Sequence, residues 1–360
     1  MQITDGKIGA REILSMIVMV VGIKATDTTP NMMIYHAQNA AWLFSLMIGV
    51  VMLIPFLVLL RLMGRYRMGL YDLLVHLTGR WVATLIVAWM FVWLFISAAL
   101  NTRSYIDIVN TLFFPQTSLY FMCLFFLLFS WLVAKRGFET IGRTSWLLLS
   151  LVVFISLVLS VSIWQDMNLS HLYPLLGPGL GDLLKETPRH ASLYAELVLM
   201  CFMLPYATTY RSFRQGTLLG YGLSIFVIVL LNAYYVMVFD YPAVEHISFP
   251  YQQLTRAASF GRQVAHIEAI FLGLWIITAV MHFAIYLYLT AYLFARTFRI
   301  HEFEPLILPL TGLCLLLSGF PKNVVQINEI RDMVISSASI VYLALPFVLW
   351  GLKLWRDRSS

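Results

Sequence analysis

Two charged residues stand in apolar sequence where charge is costly. Glu196 splits one apolar span into Ala191–Ala195 and Leu197–Tyr210. Lys24, with Glu12 at the other end, fences a run of only eleven uncharged residues, Ile13–Ile23. On insertion scales a carboxylate inside a membrane-crossing helix costs roughly 2.5–3.5 kcal/mol. Such a group faces a polar cavity, pairs with another group, or carries a proton. The chemistry open to Glu196 is therefore that of a ligand-holding or proton-linked carboxylate. The alternative is an interfacial side chain that reaches water near the outer headgroups.

Gly22 is the natural break in the first span. It has no side chain to resist unwinding, Lys24–Thr28 continue as polar chain, and Pro30 is suited to start a new helical piece. An interrupted helix leaves backbone N–H and C=O groups free to bind a ligand's carboxylate and ammonium. The alternative is a helix that merely ends at Ile23, which would span poorly. Pro205 is the corresponding breaker in the span that holds Glu196. Elsewhere, Ser97, Asn101 and Arg103 cluster at one end of a span. Trp275, Thr278 and His282 form a stripe at helical spacing, as a binding wall or as ordinary packing. Glu268 beside His266 reads as interfacial. No nucleophile–base pair, metal-ligand spacing or nucleotide loop appears, so neither an enzyme nor a cofactor is expected. Cys123, Cys201 and Cys314 all lie in apolar spans and read as packing residues.

The elements that must position these residues follow from composition. The chain is 60% hydrophobic and 12% charged, with a mean hydropathy of +0.81. Only lipid covers that much apolar surface, so residues 1–360 read as a single transmembrane domain. Besides the two interrupted spans there are Asn39–Leu60, Trp81–Thr102, the later part of Ile108–Ala134, Thr144–Gln165, Gly216–Phe239, Ala269–Ala295, Pro305–Pro321 and Met333–Leu352. The expected fold is thus an all-α polytopic membrane protein of about ten transmembrane helices. The first and sixth spans correspond if the chain is a five-plus-five inverted repeat with helices one and six broken. With both termini in the cytoplasm, the 24 Lys and Arg divide 16 inside to 8 outside, as the positive-inside rule asks. The first span is expected to stay as a signal anchor. Basic residues confined to short loops argue against nucleic acid.

Three connections look structured. Leu70, Leu73, Leu74 and Leu77 give Met68–Gly79 the pattern of a short amphipathic helix. Pro174, Gly177, Pro178 and Gly179 make a turn or lid in the outer loop Asp166–His190. Asp240–Arg262 suits a helix over the outer mouth.

The order of these features resembles a known family. Gly22-Ile23 is followed by Pro30 and Asn39-Ala-Ala-Trp42. Tyr173-Pro174 and Gly177-Pro178-Gly179 precede Tyr194-Ala-Glu196 and Pro205, and His266-Ile-Glu268 runs on to Trp275-Ile276. From about Ile8 to Leu354 the chain resembles the spore germination permease-like family, the B subunit of germinant receptors, whose members are similar to amino acid–polyamine–organocation transporters. Where members often carry an Arg-hydrophobic-acid run, this chain has His266-Ile-Glu268, so a role for that basic residue does not transfer. The resemblance implies a bacterial spore inner-membrane protein that senses a small nutrient germinant, such as an amino acid. It also implies A-type and lipoprotein C-type partner subunits, and a ligand site in the broken-helix region. The residues expected there are Gly22, Ile23, Lys24, Ser97, Tyr194, Glu196, Trp275 and Thr278. An amino-acid secondary transporter of the same fold is the alternative, because the site would look alike in both.

Overall fold

In a computed structural model, residues 6–258 and 267–359 are described (side chains of 267, 324, 325, 358 and 359 excepted). Among them the chain is helical throughout, and the one strand-like pairing is an isolated parallel bridge between Ile8 and Ala207. Six helices are long and apolar enough to cross a membrane: Thr29–Tyr66, Arg80–Leu112, Phe138–Ser162, Tyr210–Phe239, Glu268–Phe298 and Gln326–Asp357. Shorter apolar helices cover Leu119–Ala134, Glu196–Tyr206 and Glu304–Ser318. At 1.5 Å per residue, the 25 residues of Phe138–Ser162 rise more than the ~30 Å hydrocarbon core. An all-helical membrane protein is therefore what the sequence folds into. His266, and Arg262 at the end of the third loop, lie outside the described residues.

The elements that matter below are α1 (Ala10–Val20), α2 (Thr29–Ala37), α3 (Ala41–Tyr66), α4 (Leu70–Thr78), α5 (Arg80–Leu112), α6 (Leu119–Ala134), α7 (Phe138–Ser162), α8 (Leu180–Arg189), α9 (Glu196–Leu199), α10 (Tyr210–Phe239), α11 (Pro250–Ala257), α12 (Ile267–Phe298), α13 (Ile307–Ser318) and α14 (Val324–Ser359). Their ends are set locally. Thr209 caps α10 by accepting the Ser212 N–H at 3.0 Å. Arg67, in left-handed conformation at φ 52°, ends α3. The amphipathic α4 follows, with Leu70, Leu73 and Leu74 buried. The Gly-Pro-Gly loop is seated on its neighbour. Gly177 has φ +53°, and a Cβ there would stand 2.3 Å from the Ala37 carbonyl oxygen. Only glycine fits against the end of α2 in that way. Part of Asp240–Arg262 forms α11.

The short α1 is held mainly by α10, through small residues that let two backbones approach. A Cβ on Gly216 would lie 2.5 Å from the Ala10 carbonyl oxygen, and one on Gly220 would lie 2.7 Å from that of Leu14. One residue pair further on, Gly222 is exposed and has nothing within 4 Å of an added Cβ. Gly220→Val is therefore expected to cost at least about 1–3 kcal/mol by overpacking. Gly222→Val on the same helix should leave stability unchanged or slightly raised. Thermal unfolding of the detergent-purified variants checks the contrast, and equal melting of the two would contradict this packing.

Candidate functional site

α1 stops at Val20, and the chain continues as a 3₁₀ turn over Gly22–Ala25 before α2 begins. Backbone groups released in an apolar setting must find other partners. Here side chains of distant helices supply them. His282 of α12 donates from Nδ1 to the Met19 carbonyl at 3.3 Å, and Tyr235 of α10 donates to the Ala25 carbonyl at 2.6 Å. Trp275 donates from Nε1 to Thr26 Oγ1 at 3.1 Å. His282 is thus a partner for the end of α1.

The segment around Glu196 is irregular along its whole length. A 3₁₀ turn, Ala191–Tyr194, leads into the single turn of α9, and 3₁₀ geometry resumes over Met200–Tyr206, with Pro205 inside it. α14 holds its start: the Ser192 N–H donates to Ser339 Oγ at 2.8 Å, and Ser192 Oγ to the Ile335 carbonyl at 2.7 Å.

The two irregular segments meet at an ion pair. Lys24 Nζ lies 2.6 Å from Glu196 Oε1, with side-chain exposures of 8% and 1%. The same ammonium donates to the Leu193 carbonyl, and the Tyr286 hydroxyl donates to Glu196 Oε1. Glu196 Oε2 is buried and has no hydrogen-bond partner. At this burial the interfacial alternative for Glu196 does not hold.

Beside the pair is a polar cavity of about 40 Å³, lined by Lys24, Asp27, Ser97, Asn101, Glu196, Tyr286 and Arg331 among others. Two cations face two anions. Asp27 accepts the Thr29 N–H at 2.7 Å, fixing the start of α2, and accepts from the Tyr105 hydroxyl at 3.2 Å. Arg331 donates to Thr28 Oγ1, and to Asn101 Oδ1 at 3.1 Å. Sequence reasoning missed Asp27, Tyr105, Tyr286 and Arg331. Arg331 reads as a loop cation next to the last apolar run, and nothing in the sequence singles out the two tyrosines. The one available signal was Asp27 standing just before Thr29-Pro30, the pattern of a helix start.

The eight expected residues do not converge on one site. Lys24, Ser97 and Glu196 line the polar cavity. Gly22, Ile23, Trp275 and Thr278 line a second, apolar cavity of about 190 Å³, bounded also by Val18, Leu149 and Leu231. The reason is geometric: a 3₁₀ turn rotates about 120° per residue, so Ile23 and Lys24 point to different sides of it. Thr278 spends its hydroxyl on the Leu274 carbonyl of its own helix. Tyr194 lines neither cavity; it packs edge-on to Tyr221 with its hydroxyl buried and unpartnered. The three cysteines are free and buried.

Apolar helices of spanning length around a charged, buried interior define an integral membrane protein. Residues 7–327 match the spore germination protein family, and the chain belongs to that family. It is 22% identical over 343 residues to spore germination protein YndE of Bacillus subtilis (strain 168), covering 92% of both chains. It is 20% identical over 295 residues to spore germination protein A2 of the same organism, covering 81% of this chain and 80% of the relative.

Removing one member of a buried pair strands the other charge, at a cost of about 3–5 kcal/mol. Lys24→Met and Glu196→Gln should each lower the melting temperature of the detergent-purified chain strongly. The double variant should melt above either single one. Simple addition of the two losses would mean that the side chains are not coupled.

Proposed function

We propose that this chain is the membrane-embedded subunit of a spore germinant receptor. It binds a small nutrient of the amino-acid class in the cavity between Lys24 and Arg331 on one hand and Asp27 and Glu196 on the other. It signals to A-type and lipoprotein C-type subunits from the spore inner membrane. In this reading the chain crosses the membrane ten times as a five-plus-five inverted repeat, with helices one and six interrupted at the site and both termini cytoplasmic. Family membership supports the germination role.

The observation that carries the ligand assignment is the charge arrangement. A zwitterion presents one ammonium and one carboxylate, and the cavity offers two acids and two bases. Glu196 Oε2, buried without a partner, is a ready acceptor for an ammonium. A water needs ~10–15 Å³ on this measure, so 40 Å³ holds about three waters. Admitting an amino acid therefore means opening the Lys24–Glu196 contact. The ligand then exchanges charge-assisted bonds with the groups it separates. Such a ligand shifts the protein only by its differential affinity for the opened arrangement.

Ser97 lines the cavity, outside the ion pair and outside the hydrogen bonds described above. Ser97→Phe is expected to fill the space, leaving protein abundance near wild type while raising the nutrient concentration needed for germination at least tenfold. A wild-type dose response at normal abundance would remove this cavity from the proposal. The chain reconstituted alone in vesicles should show no sustained uptake of labelled amino acids. Concentrative uptake would instead make it a secondary transporter.

A further inference from the structure

A second group of polar side chains stands where three elements meet, apart from the cavity. His36 lies in the last turn of α2, His190 follows the last residue of α8, and Asp332 lies in α14. Their donor atoms all fall within 4.8 Å of one another. The two imidazole rings sit 4.5 Å apart between centroids. Glu186 of α8 places Oε2 3.8 Å from His190 Nδ1 and 4.0 Å from His36 Nδ1. Together these side chains line a pocket open at the surface, so an ion has a path in.

His190 is the informative member. It is 1% exposed, and its Nδ1 lies 2.9 Å from the Glu186 main-chain carbonyl. A carbonyl only accepts, so Nδ1 carries the proton and donates. In the neutral ring Nε2 then presents a bare lone pair. Nε2 is buried and has no hydrogen-bond partner, although Asp332 Oδ1 is 3.3 Å away. A backbone carbonyl that fixes one ring nitrogen while the other faces outward is how metal-binding histidines are oriented. Bond lengths of ~2.0–2.1 Å in tetrahedral geometry put neighbouring zinc donors roughly 3.3 Å apart. The His190–Asp332 separation matches that edge. His36 completes the set by closing at most about 1.5 Å, the difference between 4.8 Å and that edge.

We propose that His36, His190 and Asp332 form a binding site for a divalent transition metal of the zinc type. The Glu186 carboxylate sits alongside with Oε1 paired to Arg189 at 2.9 Å, so Asp332 is the acid that offsets the ion's charge directly. The site has a structural consequence. It joins the element after the first interruption, the element leading into Glu196, and α14. Asp332 is adjacent to Arg331, which lines the polar cavity, and His190 is two residues before Ser192, which α14 anchors. A bound ion would therefore tether the walls of the cavity from outside it.

The inference does not rest on the receptor reading, because binding is read in the purified full chain. The protein in detergent is stripped with a chelator, dialysed and titrated with zinc chloride by calorimetry. Cobalt(II) titration reports the visible ligand-field band of a tetrahedral site. One saturable ion per chain is expected. His36→Ala and Asp332→Asn should each weaken zinc binding tenfold or more and abolish the zinc-dependent rise in melting temperature. Asp182→Asn, which removes an exposed acid of the same α8, should bind as wild type. The melting temperature without metal shows that each variant is folded. If the wild-type chain binds no ion saturably, or binds it as tightly as Asp332→Asn does, the cluster is an ion-paired histidine and the proposal is overturned.

Discussion

A charge held in a low-dielectric interior costs several kcal/mol unless an opposite charge stands beside it. Lys24 and Glu196 meet that requirement for each other, 2.6 Å apart and 172 residues distant in the chain. Much of the interior follows from keeping them together. The first segment must leave helical geometry after Val20 so that Lys24 can reach inward. The segment around Glu196 must be loosely wound so that the Leu193 carbonyl is free to take the same ammonium. Tyr286 must come in from α12 to share the carboxylate.

The released backbone explains several residues that look unrelated in sequence. His282 and Tyr235 belong to two helices far from residues 19–26, yet each donates to a main-chain carbonyl of that stretch, and Trp275 holds its Thr26 side chain. They do there what water would do in a soluble loop. This is why an interruption can exist in an apolar interior, where released backbone groups must find partners within the protein. The small residues of α10 serve the same end, since Gly216 and Gly220 let the short α1 sit closely enough to be held without its own length.

Polar side chains consequently gather in two layers. Inside lie Lys24, Asp27, Glu196 and Arg331, charge-balanced around a small cavity. Apart from these lie His36, His190 and Asp332, contributed by the end of α2, the end of α8 and α14. α14 contributes to both through the adjacent residues Arg331 and Asp332.

Composition and hydropathy by themselves determined that the chain is a helical membrane protein, because apolar runs of bilayer length have no other stable form. Single residues carried the next level: Glu196 inside a span and Gly22 before a polar stretch marked where the helices lose regularity. Motif order together with chain length and span count was enough to place the family. What the sequence could not carry was convergence. Ile23 and Lys24 are neighbours in the chain but face different cavities, and Arg331 enters the charged one from the far end of the sequence. Likewise His36, His190 and Asp332, separated by 154 and 142 residues, show no spacing pattern at all. Local pattern reports which face a residue can present; only packing decides what stands opposite it, since a buried charge selects its partner by proximity in space rather than along the chain.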